Sequence, residues 1–214
     1  SFNSFFPNEY VGRGGNRGDS GAANGFFTSS IDTSTRSVTN GQSGSIVLSF
    51  GGGNIKFGST VDGAQGLTIN SSSGKISFAG SVGSSTALSS LSVSGDAGIE
   101  LAGGSIVTTG SQSLSGPIKL QAALTTLSTS NAVIGLSGDI TRLAEVAGNL
   151  TINSGTAVVN LSGGLGTSAT PLGVLSFSGS GEKKLGGAAY AATLSIDGGV
   201  TAVNGGIVDT SGSQ

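Results

Sequence analysis

The chain has 214 residues, of which 40 are Gly, and it contains no Cys, His, Met or Trp; only 9% of residues are charged and the net charge is −2. This excludes a disulfide framework, Cys-ligated zinc, the commonest general base and a basic field that could hold nucleic acid. At 36% hydrophobic residues the chain is too apolar to be a solvated disordered polymer, and its Gly lacks a G-X-Y period, so collagen is excluded too.

In chain order, residues 1–36 stand apart. Six of the eleven Phe and Tyr residues fall in the first 27: Phe2, Phe5, Phe6, Tyr10, Phe26 and Phe27. No repeat phrase is visible there. Two roles are open for these aromatics. They form a cap laid over the first turn of the following domain, or an arm that adds a strand to a neighbouring molecule. The same segment holds "RGDS". Arg17, Gly18 and Asp19 are a candidate cell-attachment tripeptide, and the simpler reading is a flexible Gly-rich turn.

From residue 37 onward the chain repeats itself. "NIKFGSTVDG" (54–63) matches "KISFAGSVGS" (75–84), so that Ile55, Phe57 and Val61 precede Ile76, Phe78 and Val82 by 21 residues. Leu67 and Ile69 precede Leu91 and Val93 by 24. A longer recurrence sets "LTINSSSGKISFAGSVG" (67–83) on "LTINSGTAVVNLSGGLG" (150–166), with every apolar position kept apolar. "ELAGGSIVTTGSQ" (100–112) is echoed by "AVNGGIVDTSGSQ" (202–214). Larger units of about 53–137 and 138–214 follow, with about four short periods in each.

Apolar residues alternate within each short unit, as I-x-F, L-x-I and I-x-L, which is the period of a strand. The runs last three to five residues and end at Gly, Ser or Asn. "DITRLAEVA" (139–147) is the best helical candidate, but it aligns with a strand–turn–strand stretch and reads as strand or loop. A period of 21–24 residues with several short strands predicts an all-β fold, a parallel β-helix or β-solenoid that stacks coil on coil. At ~4.8 Å per coil, residues 37–214 make a rod of roughly eight coils and ~40 Å. The alternative is an antiparallel β-sandwich. LTINS reads as inward Leu and Ile, outward Thr, and an Asn70 or Asn153 stacked at equivalent corners.

The phrases "GNIKFGSTVDGAQGLTINSSSGKISFAGSVG", "SLSVSGDAGIELAGGSIVTTGSQ" and "TLSIDGGVTAVNGGIVDTSGSQ" resemble the repeats of filamentous-haemagglutinin-like and related β-strand-repeat bacterial surface exoproteins. The resemblance covers residues 37–214. It implies a right-handed parallel β-helix on or outside the cell, with adhesive or scaffold roles.

Catalysis would need clustered acids with a partner base on one face. The carboxylates are instead scattered, most of them beside Gly. Asp62 and Asp197 read as turn residues that bond nearby backbone, and Asp96 and Glu100 as a pair with no basic partner. "EKKLGG" (182–187) reads as a solvated corner. The Thr pairs 108–109 and 125–126 do not recur once per coil, so the flat Thr column of an ice-binding surface is not expected. No EF-hand loop, calcium-roll nonapeptide or phosphate loop occurs, so neither metal nor cofactor is expected. No run of 18 apolar residues predicts membrane insertion.

The expected function is therefore non-enzymatic. It is a structural or adhesive module of a bacterial extracellular or cell-surface protein, a rod or filament subunit of the kind found in a biofilm matrix. Its expected partner is itself, end to end. The alternatives are a stalk that binds glycan or host protein, and a β-helix enzyme acting on polysaccharide. Nothing after Gln214 reads as a cap, so the rod continues in a longer protein or its end is met by another subunit.

Overall fold

In a computed structural model, the structure describes residues 25–27, 31–32, 45–50, 52–199 and 201–212. The described chain is all-β and every strand pairing in it is parallel, so the sandwich alternative is overturned. The strands wind into a β-solenoid of about 7 turns. Each turn visits three faces in a fixed order. The first face carries Gly25–Phe27, Ile55–Phe57, Ile76–Phe78, Ile99–Leu101, Ile118–Leu120 and Ile140–Arg142 as one 6-stranded sheet. The second carries Ser105–Thr108, Leu124–Thr129, Asn149–Asn153, Leu172–Ser178 and Ala189–Ile196; the start of that last strand continues the first-face column from Ile140 through Leu165 to Ala189, and Val208–Thr210 lies above it there. The third is an 8-stranded sheet running from Ser45–Phe50 through Gly66–Ser71 and Gln112–Ser115 to Lys183–Leu185 and Thr201–Val203.

Alternation and stacking together make the core. Ile55, Ile76, Ile99, Ile118 and Ile140 lie one above the next on the first face, each at most 2% exposed. Phe57 stacks on Phe78 with ring centroids 4.9 Å apart and planes 5° from parallel. Such a stacked pair adds roughly 0.5–1.5 kcal/mol beyond the area it buries. The second face contributes Ile106, Leu127, Ile152 and Phe177, again in register and buried.

The short periods seen in the sequence are true coil steps. Ile55 pairs Ile76, Phe57 pairs Phe78, Val61 bridges Val82, Leu67 pairs Leu91 and Ile69 pairs Val93. The long recurrence is a different matter. Gly66–Ser71 lies on the third face, whereas Asn149–Asn153 lies on the second. Leu67 and Leu150 are both buried, but Asn70 and Asn153 do not stack. Eighty-three residues is not a whole number of coils, because the spacing has slipped by one face. The three faces ask the same alternation of a strand, so one phrase serves two of them. The 139–147 stretch is the strand Ile140–Arg142 followed by a loop.

Glycine marks the corner between the third and first faces. A Cβ on Gly138 would stand 1.9 Å from the carbonyl oxygen of Gly116, one on Gly163 2.3 Å from that of Gly138, and one on Gly187 2.4 Å from that of Gly163. Gly205 repeats the contact on Gly187 at 2.2 Å. At this corner the coils touch backbone to backbone, and the ladder spacing leaves no room for a methyl group. Gly163→Ala should therefore cost about 1–3 kcal/mol by overpacking. Gly135→Ala is the control: its Cβ would meet nothing closer than Gln112 O at 4.0 Å, and the change should be neutral or slightly stabilising. Urea unfolding of the two variants checks both.

Candidate functional site

Of the residues singled out from the sequence, Phe2, Phe5, Phe6, Tyr10, Arg17, Gly18 and Asp19 lie outside the described residues. Phe26 and Phe27 lie in the strand Gly25–Phe27, beside Lys56 and Phe57. Several of the polar groups that the structure does place bond across coils.

Asx side chains at the corners accept N–H groups from the coil above. Asn54 Oδ1 accepts from Lys75 N at 2.9 Å, Asn131 Oδ1 from Thr156 N at 3.0 Å, Asp139 Oδ1 from Gly164 N at 2.7 Å and Asn149 Oδ1 from Val174 N at 2.7 Å. Asp62, expected to bond its own turn, accepts from Ser85 N at 2.7 Å and Thr86 N at 3.2 Å in the next coil. Each bond satisfies a donor that the curving chain cannot pair with a strand.

Two of the cations, Arg142 and Lys183, are held by backbone carbonyls. Arg142 donates through Nε to Pro171 O at 2.6 Å, and through Nη1 to Leu143 O, Ala144 O and Val146 O at 3.1, 3.0 and 2.8 Å. It thereby gathers its own loop and ties it to the loop one coil on. Lys183 departs from the solvated corner expected of "EKKLGG". It is 0% exposed and sits between Val159 and Thr201 in the inward column of the third face. Strand alternation turns Lys183 and Leu185 inward and Lys184 outward, where it pairs with Glu182 at 3.3 Å. The buried ammonium donates to Gly179 O, to Gly198 O at 2.7 Å and to Asp197 O at 3.3 Å. These bonds bind the last turns together, since an unpaired buried charge would not be tolerated.

Gln112 is buried in the column that also holds Lys183. Its Nε2 donates to Ser128 O at 2.8 Å, Ile106 O at 3.2 Å and Thr108 Oγ1 at 3.3 Å, tying the second face to the third across their shared corner. Its Oε1, like Thr125 Oγ1, is buried without a hydrogen-bond partner.

Glu100 has the basic partner that the sequence reading denied it. Lys75 Nζ donates to Oε1 at 3.1 Å and Ser77 Oγ to Oε2 at 2.9 Å. Burial raises the carboxyl's pKa, but the bonds from Lys75 and Ser77, the Lys75 charge and a bond from Gln121 outweigh it, and the carboxyl lies below its ordinary range. Among the described residues no three His, Cys, Asp or Glu side chains gather in a group that could hold a metal, and no helix is long and apolar enough to cross a membrane.

The outer surface of the second face carries hydroxyls in register. Ser105 lies beside Thr126, Thr126 beside Thr151, Thr151 beside Ser176 and Ser176 beside Ser195. Thr108 and Thr125 point inward and are 1% exposed, so the Thr pairs do not act as pairs. Unequal coil lengths hide this column in the sequence.

Compared with known protein families, curated proteins and solved structures, the chain matches none. The class it defines is that of the parallel β-solenoids.

Because its folded pKa is lowered, Glu100 adds stability that is present above its unfolded pKa and is lost as pH falls through the folded one. An NMR titration should place its midpoint below that of an unperturbed Glu, and Lys75→Gln should raise it. The ion pair itself is part-exposed, so its loss should cost only about 0.2–1 kcal/mol.

Proposed function

We propose that this chain is a non-enzymatic structural module of a bacterial extracellular surface protein, a rod that stacks end to end. One observation carries this reading. The described polar side chains with the most bonds — Gln112, Arg142 and Lys183 — each join one coil to the next, and Asp62 does the same. A catalytic cleft would instead hold such groups converging on open space. The outer faces offer small neutral groups, the Ser and Thr column of the second face among them. Little charge stands between neighbouring rods. Location at the cell surface rests on the likeness of the repeats to surface exoproteins.

The second reading, a stalk that binds glycan, is favoured by the same column of stacked hydroxyls. Electron microscopy of the purified chain, run beside a glycan array and a polysaccharide degradation screen, tests the set. Rods or fibres with no glycan signal and no turnover are expected. Saturable glycan binding would move the assignment to the stalk. Reproducible polysaccharide cleavage would sink the non-enzymatic reading.

A further inference from the structure

The two described ends of the solenoid compete for a single position in the spiral. At one end, Gly25–Phe27 lies under Ile55–Phe57 on the first face, with Gly25 beside Ile55, Phe26 beside Lys56 and Phe27 beside Phe57. At the other, Val208–Thr210 lies over residues 189–191, with Val208 beside Ala189, Asp209 beside Tyr190 and Thr210 beside Ala191. Above that last turn the inward positions are uncovered. Val203 is 42% exposed although Leu185 beneath it is 1% exposed. Leu194 and Ile196 are partly buried, although Leu175 and Phe177 beneath them are 0% exposed.

Place a second copy so that its spiral continues the first. The order of faces fixes the match. Its Ile31–Asp32 comes to rest over residues 192–196, and its Ser45–Phe50 over Thr201–Val203. Its Ile55–Phe57 then sits directly over Val208–Thr210 of the first copy, where its own Gly25–Phe27 otherwise lies. Two strands cannot share that place.

We propose that copies of this chain join head to tail by strand exchange, Val208–Thr210 of one copy replacing Gly25–Phe27 beside Ile55–Phe57 of the next. This rests on the rod reading above and names its joint. The phase of alternation fits, since Val208 packs against the core and falls under the buried Ile55, and Thr210 falls under the buried Phe57. The exposed Asp209 falls beside the exposed Lys56, so a carboxylate meets an ammonium across one ladder spacing of ~4.8 Å. One three-residue parallel strand takes the place of another, so ladder bonds are conserved on the first face. The second and third faces gain a covering coil over Leu194, Ile196 and Val203. The contact is heterologous and continues the axis of the solenoid, so it propagates and does not close.

Light scattering of the full 214-residue chain against concentration, with electron microscopy, is the test. Association that grows with concentration is expected. A chain truncated after Gly206 should stay monomeric, and one lacking residues 1–30 should associate at lower concentration because the position beside Ile55 is vacant. Lys56→Asp and Asp209→Lys should each weaken self-association, by up to about fivefold for one cross-strand charge pair, and an equimolar mixture of the two should regain it. If the deletion variant does not fold, the charge exchange in the full chain decides. Fibres that persist after truncation at Gly206 would leave the rod reading standing and overturn the exchange. So would association that is lost on removing residues 1–30, or that ignores both charge changes. Rods that stay single at every concentration would also overturn it, while leaving a monomeric stalk.

Discussion

Everything in this molecule follows from the parallel ladder. Once strands stack in register at about 4.8 Å, each residue stands over one residue of the coil below, and the two must suit each other. Apolar positions become columns, and Phe57 and Phe78 stack ring on ring within one of them. Where backbone must touch backbone the column is glycine, as at Gly116, Gly138, Gly163, Gly187 and Gly205. Where a corner leaves an N–H unpaired, an Asx side chain from the previous coil reaches it. The unusual composition is thus the consequence of a single contact repeated along an axis. No single coil buries enough surface to stand alone against the entropy of ordering it.

The same constraint explains how charge is held in and beside so apolar a core: Lys183 is buried and Arg142 half-buried. Arg142 and Lys183 are held by carbonyls at the edges of coils and not by carboxylates. A buried ion pair would require two desolvated charges in neighbouring columns, and its Coulomb gain often fails to offset that cost. Corner carbonyls lie within reach of a long side chain. One cation then satisfies several acceptors at once, and in both cases it links two coils.

Much of the fold is legible in the sequence, for a physical reason. Ile55, Phe57 and Val61 recur as Ile76, Phe78 and Val82 because they are the same three places one coil on. The longer recurrence misleads because inward alternation is all that any face requires, so LTINS on the third face and LTINS on the second obey one rule. Lys183 is harder to read. The signal was present, since "KKL" at 183–185 lies in register with "VNL" at 159–161, and the first Lys takes the place of a core valine. Solvation is the ordinary fate of a Lys pair, and the alternation outweighs it here. The hydroxyl column was hidden by coil length, because the loop at residues 166–171 and the excursion at 143–148 shift Ser176 and Thr151 out of any fixed period.

Coil length also shapes the end of the rod. Val159 is followed above by Lys183 and then by Thr201, steps of 24 and 18 residues, so the last turn is shorter than those in the middle. It is shorter because Ala189–Ile196 runs straight across a corner that earlier turns cross with loops. Small side chains, Ala189 and Ala191, fill the narrowed inward positions. A shorter turn presents a smaller apolar cross-section, but it still has a ladder edge. The glycine column runs into this turn unbroken at Gly205. The last described turn therefore keeps the columns of the turns before it, and those columns are what any coil stacked on it would meet.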